Sequence, residues 1–176
     1  MTPTWEKQNE TPYQLRAGFG KIISKTFRLP NGDIADYDIR DQGEAVCVVP
    51  LTPDNKVILA KQFRPGPEQV LLELPGGGVD AGETPEAAIR RELLEETGYT
   101  GSFQLAGTNY HCAYSNALRY NYIATNCHKV QEPHYFDANI IEVVEMPLPE
   151  FRVFLKSGEM TNVEGGYMCL DVMGLL

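Results

Sequence analysis

Glu92, Glu95 and Glu96 stand close together in the segment Arg90-Arg91-Glu92-Leu93-Leu94-Glu95-Glu96-Thr97-Gly98. At about 100° per residue, with Glu92 at zero, Glu95 falls at about −60° and Glu96 at about +40° of a helix. The three carboxylates thus share an arc of about 100°. Ile89, Leu93, Leu94 and Ala87 occupy roughly +60° to +220°, which predicts a packed face beside an acidic one. Most Glu-rich helix faces are solvated surface, but two features set this one apart. The Glu92/Glu95 and Glu92/Glu96 pairs repel at i,i+3 and i,i+4, costing a few tenths of a kcal/mol each. Acids near the C-terminal end of a helix also oppose its dipole. Local rules broken together at one place suggest a site.

A hard divalent cation would relieve that repulsion. Mg²⁺, with Mn²⁺ as a substitute, prefers carboxylate and carbonyl oxygens and keeps several waters, which suits a phosphate-bearing ligand. Such an ion can neutralise charge on phosphate and activate a coordinated water. Upstream, Pro75-Gly76-Gly77-Gly78 allows close backbone approach and exposes carbonyls, and no regular element is expected to continue there. The loop is not of the G-x-x-x-x-G-K-[ST] type, because it lacks the Lys.

These groups need elements to position them. Thr84 is a good N-cap, Pro85 suits the first helical position and Gly98 suits C′, so a helix is predicted between Pro85 and Gly98. Residues 45–51 and 57–63 are apolar and β-branched, with a turn at Thr52-Pro53-Asp54-Asn55-Lys56, and 70–74 is a further strand. Residues 19–27 and 34–39 flank Leu29-Pro30-Asn31-Gly32-Asp33 and read as a hairpin. Downstream, 103–110, 118–125 and 140–146 read as strands. A second helix is predicted over 149–157, because Phe151, Phe154 and Leu155 recur at helical spacing before Gly158. The first eighteen or so residues are polar and read as a loose arm. Without the βαβ alternation of a doubly wound sheet, the predicted class is α+β.

Composition narrows the function classes. The 176 residues are 43% hydrophobic and 22% charged, as in an ordinary globular chain, which excludes disorder, collagen and long coiled coil. With 15 basic against 24 acidic side chains the formal charge is 15 − 24 = −9. The basic footprint needed for nucleic acid is therefore missing. Cys47, Cys112, Cys127 and Cys169 stand far apart with no C-x-x-C pair, and the N-terminus has no apolar signal core, so the expectation is a reduced, cytoplasmic chain. No apolar run is long enough to span a membrane.

Gly77, five residues, Glu83, seven residues, then Arg91-Glu92-Leu93-x-Glu95-Glu96-x-Gly98 resembles the signature of the Nudix hydrolase family, G-x5-E-x7-R-E-U-x-E-E-x-G-U. Every fixed position matches; only the last, bulky aliphatic position differs, as Tyr99. The resemblance implies a Nudix-type α/β/α sandwich with a mixed sheet. It also implies hydrolysis of a nucleoside diphosphate linked to another group, by metal-assisted attack of water on phosphorus. Carried over by position, Glu92, Glu95 and Glu96 would hold divalent ions, the Gly76 carbonyl would add a ligand, and Glu83 and Arg91 would brace loop against helix.

Pro30-Asn31-Gly32, Lys61-Gln62-Phe63-Arg64-Pro65-Gly66-Pro67 and Leu72-Glu73-Leu74-Pro75-Gly76-Gly77 are similar to the ADP-ribose pyrophosphatase-like branch, over roughly residues 19–160. That branch implies substrate contact at Arg64 and a homodimer built partly from the N-terminal strands, whose partner chain helps hold the adenine. Arg64, Glu73 and Tyr114 are the candidate substrate contacts. Tyr110, Tyr120 and Tyr122 share the stacking chemistry of Tyr114, although tyrosines alternating in a strand commonly pack. His111, His128 and His134 have no ligand spacing.

The branch usually carries Ser-Pro-Gly followed by an acidic residue downstream of the box; here the corresponding stretch, Cys112-Ala113-Tyr114-Ser115-Asn116-Ala117, is shorter and lacks the Pro. The chain departs again at Phe136-Asp137-Ala138-Asn139, where the branch carries a Glu-rich loop with the catalytic base. Asp137 is the nearest acid there, with Glu142 the second choice. The resulting expectation is an arm and hairpin over 1–44 and a hydrolase domain over 45–176. The reaction would be Mg²⁺-dependent hydrolysis of an ADP-ribose-like compound to AMP and ribose 5-phosphate. Its alternatives are another nucleotide sugar, a dinucleoside polyphosphate, a dinucleotide coenzyme, or a binding module without turnover.

Overall fold

The computed structural model describes residues 6–13, 21–133 and 140–176, and the chain divides into two compact units. The first comprises Met1–Gly43 and Tyr110–Leu118, the second Glu44–Asn109 and Arg119–Leu176.

In the first unit β1 (Glu6–Tyr13), β2 (Lys21–Arg28) and β3 (Ile34–Asp41) form an antiparallel sheet in that order. The expected hairpin joins β2 to β3, closed by Leu29 N–H donating to Asp33 O at 2.8 Å, with Gly32 at φ 93°. β1 corrects the reading of the whole N-terminus as a loose arm. It is exposed along its length and pairs with β2 from Glu6↔Arg28 to Tyr13↔Ile22. Backbone pairing without side-chain burial leaves no alternation of hydropathy to detect. The 110–118 excursion is tied to the end of β3 by Arg40 N–H to Tyr114 O (2.9 Å) and Asn116 Nδ2 to Asp41 Oδ1 (2.6 Å).

The second unit runs β4 (Ala45–Pro50), β5 (Lys56–Arg64), β6 (Gln69–Glu73), β7 (Gly76–Gly78), α1 (Pro85–Thr97), β8 (Tyr99–Tyr110), β9 (Leu118–Lys129), β10 (Ile140–Pro147), α2 (Leu148–Ser157) and α3 (Val163–Val172). One sheet has the order β7-β4-β9-β8 and the other β10-β5-β6. β4 pairs parallel with β9 and antiparallel with β7, so the arrangement is mixed. The turn at Thr52–Lys56 joins the sheets, with Asn55 at φ 59° and Thr52 N–H donating to Lys56 O at 2.9 Å.

Two-residue periodicity sorts the strands into a sandwich. Val46, Val48, Ile58, Tyr122 and Ala124 pack with Ala88, Ile89 and Leu93 of α1. Their neighbours Cys47, Val49, Val57, Leu59 and Ile123 pack with Phe151 and Leu155 of α2 and Cys169 and Leu170 of α3. Helices therefore cover both faces, which is why β4 and β5 read as unbroken apolar runs. The class is α+β as expected.

Besides β1, other elements differ from expectation, and β9 runs on to Lys129. The glycine loop continues as the short strand β7, because Gly76 pairs with Cys47 so closely that a Cβ there would lie 2.2 Å from Val46 O. β8 starts at Tyr99 rather than Phe103. α3 has no counterpart in the sequence reading, since it opens with Asn162 at φ 61° and carries Gly165-Gly166, poor helix formers. Those glycines are demanded by packing: a Cβ would come within 2.4 Å of Asn121 Oδ1 at Gly165 and 2.6 Å of Leu155 Cδ2 at Gly166.

Among the described residues no helix is long and apolar enough to cross a membrane.

Candidate active site

α1 carries the acidic cluster, and its ends are set as the sequence predicts. Thr84 Oγ1 accepts from Ala87 N–H at 3.2 Å, Pro85 opens the helix, and Gly98 closes it at φ 77° with its N–H on Leu94 O. The packed face differs from the expected one. Ala88, Ile89, Leu93 and Thr97 are buried, whereas Ala87 is exposed and Leu94 half-buried. On the same wheel this face spans about −40° to +140°, so Glu92 and Glu96 lie within it and Glu95 at its edge. The expected face is displaced because it counts Ala87 and Leu94, which do not pack fully, in place of Ala88 and Thr97, which do.

Burial sets the electrostatics. Glu96 is pushed up to about 7 by desolvation, opposed by hydrogen bonds from Gly76 N–H and Gln62. Gly76 N–H donates to Oε2 at 3.0 Å and Gln62 Nε2 to Oε1 at 2.9 Å. Desolvation also raises Glu92, against the pull of Arg91. Glu92 reaches under the glycine strand, so that a Cβ on Gly77 would lie 2.2 Å from its Oε1.

Arg91 ties loop to helix. Its Nε and Nη2 donate to Glu83 at 3.2 and 3.0 Å, Nη2 also to Gly78 O at 3.1 Å, and Nη1 to Glu92 at 2.8 Å and Glu95 at 3.3 Å. The Arg91 hydrogen bond in turn holds Glu83 below the usual carboxylate range. Arg91 thereby offsets part of the Glu92/Glu95 repulsion, while Glu96 depends on amide donors.

Arg64 and Glu73 meet each other. The Arg64 guanidinium is paired with the Glu73 carboxylate, which is 1% exposed and also accepts from Thr161 Oγ1. Gln62 and Arg64 alternate on β5, and their ladder partners Leu71 and Gln69 alternate with Glu73 on β6, so these polar groups share one face. Glu142 pairs opposite Lys61, at 3.3 Å, and therefore belongs to the other face of β5. Asp137 lies outside the described residues.

Tyr114 belongs to the first unit, where it is exposed and stacks on Tyr37 with ring centroids 6.4 Å apart. Tyr122 is a core residue, and the Tyr120 hydroxyl donates to Glu44 at 2.9 Å. Gln62 enters the sequence reading only as part of the Lys61–Pro67 stretch, with no role of its own, and Thr161 does not enter it. What each does depends on what lies opposite it in space.

The donor set suits a hard cation, since it consists of carboxylate oxygens beside a backbone loop, one carboxylate being desolvated and short of positive charge. Among the described residues no three His, Cys, Asp or Glu side chains are already gathered round one point. The glycines separate fold from site. Gly76→Ala should lower the thermal midpoint markedly, because its Cβ meets backbone, whereas Gly77→Ala meets only the movable end of Glu92 and should spare the midpoint while reducing turnover. Calorimetry and kinetics on both variants check this; equal destabilisation would contradict it.

Comparisons with known proteins agree with this arrangement. A profile of the NUDIX domain matches residues 41–164. The ADP-ribose pyrophosphatase of Bacillus subtilis is 30% identical over 154 residues, covering 84% of this chain and 83% of that protein. The methanol dehydrogenase activator of Bacillus methanolicus is 28% identical, covering 86% and 83%. A solved structure described as an ADP compounds hydrolase superposes with a TM-score of 0.76 at 20% identity, covering 98% of this chain and 97% of the other. Since the matched region contains the glycine strand, α1 and strands of both sheets, this chain belongs to the NUDIX domain family.

Proposed function

We propose that the protein is a pyrophosphohydrolase that cleaves the diphosphate linkage of ADP-ribose or a closely related nucleoside diphosphate sugar, giving AMP and ribose 5-phosphate from ADP-ribose. The observation that carries this reading is the desolvated Glu96 carboxylate, held between Gly76 and Gln62 on the strand face that also presents Arg64. The relative in Bacillus subtilis, named for ADP-ribose, supports the substrate.

Glu92, Glu95, Glu96 and the Gly76 carbonyl would hold Mg²⁺, or Mn²⁺ in its place. The bound ion supplies charge neutralisation at phosphate and a more acidic water. Arg91 and Glu83 keep the glycine strand against α1. Arg64, planar and always charged, suits a diphosphate, and its anchorage by Glu73 limits the freedom lost on binding. Asp137 is the proposed base, because Glu142 belongs to the opposite face of β5. Tyr114 is the proposed stacking residue. The reading extends to a cytoplasmic homodimer with a small-molecule partner and no nucleic acid, in which residues 1–44 form the dimer-building extension of a 45–176 hydrolase domain.

The test is product analysis with ADP-ribose, Mg²⁺ or chelator, and a panel of other nucleoside diphosphate derivatives. Metal-dependent AMP release with the highest kcat/KM for ADP-ribose is expected. Preference for another compound would discard the substrate, and no turnover of any would overturn the enzymatic reading. Light scattering of the purified chain checks the dimer.

A further inference from the structure

The end of β5 has an inverted polarity. Gln62 is 4% exposed while the neighbouring Phe63 is 41% exposed, so an amide points inward and an aromatic ring outward. The preceding residues Val57 to Ala60 are fully buried and apolar, and an aliphatic side chain at position 62 would avoid the cost of burying an amide. That inversion is explained by what the amide meets. Gln62 Nε2 donates to Glu96 Oε1 at 2.9 Å, while Gly76 N–H donates to Oε2 at 3.0 Å. Each carboxylate oxygen thus has one donor from the strands. A carboxylate has about four acceptor sites, so two donors fix the plane of the group and still leave acceptor capacity for a cation.

We propose that Gln62 is a positioning residue for Glu96: with the Gly76 amide it fixes the carboxylate in the orientation that receives the divalent ion. This rests on the reading of Glu96 as a metal ligand. Gln62 has no other assignment, and it acts through Glu96. Its neighbour on the same face, Arg64, is fixed in a parallel way by Glu73, so one face of β5 orients groups for both the ion and the diphosphate.

The test uses Gln62→Met, which keeps length and bulk but has no N–H, and Gln62→Asn, which keeps the amide but is too short to reach. Mn²⁺ binding to the full chain without substrate is followed by the paramagnetic resonance of the free ion, beside Glu96→Gln. Thermal midpoints and Mg²⁺-dependent turnover complete the set. Removing a partner that orients a ligand typically weakens metal binding about tenfold or more. Both Gln62 variants should therefore bind Mn²⁺ about tenfold more weakly and need about tenfold more Mg²⁺ for half-maximal turnover. At saturating Mg²⁺ the KM for ADP-ribose should stay within about twofold of wild type, a split that a general loss of structure would not give. If Gln62→Met fails to fold, Gln62→Asn carries the same expectation. Wild-type Mn²⁺ affinity in the folded Gln62 variants, with binding lost in Glu96→Gln, would overturn the positioning role alone. Retained Mn²⁺ binding and turnover in Glu96→Gln would overturn both the ligand reading and this one.

Discussion

Glu96→Gln is expected to lower turnover of ADP-ribose by about 10³-fold or more, roughly 4 kcal/mol of transition-state stabilisation, while leaving the metal-free protein as stable as wild type or more so. The substitution keeps shape and removes a charge from a desolvated place. Gln62 can turn its amide to offer oxygen to the new Nε2, so one hydrogen bond is exchanged rather than lost. The pH dependence distinguishes this from simple disruption. Glu96 is pushed up to about 7 in the folded chain, above the ordinary glutamate value in the unfolded one. Between the two values the folded state binds more protons, so this group's contribution to stability falls as pH rises through that window. Glu83, held low by Arg91, and Glu145, held low by the Tyr99 hydroxyl at 2.6 Å and the Lys56 ammonium at 3.0 Å, act in the opposite sense, losing their contribution as pH falls. The wild type therefore combines both trends, and the difference between wild type and Glu96→Gln isolates one. Metal-free melting curves from about pH 5 to pH 8 should show the variant gaining on wild type with rising pH, by an order of 2–3 kcal/mol at most. Saturating Mg²⁺ should reverse that gain. A variant that melts far below wild type at every pH, with turnover retained, would remove Glu96 from the site.

Arg64→Ala should damage both substrate use and stability, and a second substitution should separate the two. Removing a charged hydrogen-bond donor to a diphosphate should lower kcat/KM roughly 10²-fold. It also leaves the buried Glu73 carboxylate facing only Thr161. An unpaired buried charge costs about 3–5 kcal/mol. The Arg64 side chain is 39% exposed, so water can enter the vacated position and about 1–2 kcal/mol is the reasonable expectation. For a chain of this length that lowers the midpoint by roughly 3–6 °C. Glu73→Gln in the Arg64→Ala background removes the stranded charge while its Oε1 still accepts from Thr161. Melting should return close to wild type, whereas kcat/KM should stay low. Recovery of activity along with stability would show that Arg64 serves the fold rather than the substrate.

What was legible in the sequence was local. Thr84, Pro85 and Gly98 bound α1 because caps act through adjacent backbone groups, and the Leu29–Asp33 turn closed as its Asn-Gly pair predicts. The spacing of Arg91, Glu92, Glu95 and Glu96 survives in space because a helix is a rigid ruler. The elements that escaped notice are those whose signal is not local. β1 is held by ladder hydrogen bonds with no buried side chain, and α3 tolerates two glycines because its neighbours leave no room for Cβ atoms.

The chain by itself thus determined the family signature, the acidic helix and the α+β class, all properties of spacing and periodicity. Only the tertiary structure decided which carboxylate is desolvated, because the packed face of α1 was set by β4 and β5 rather than by α1's apolar residues alone. It likewise decided that Glu73 anchors Arg64 and that Gln62 meets Glu96. Hydrogen bonds between residues 34 positions apart, as for Gln62 and Glu96, depend on the register of sheet against helix, and nothing in the local sequence specifies that register.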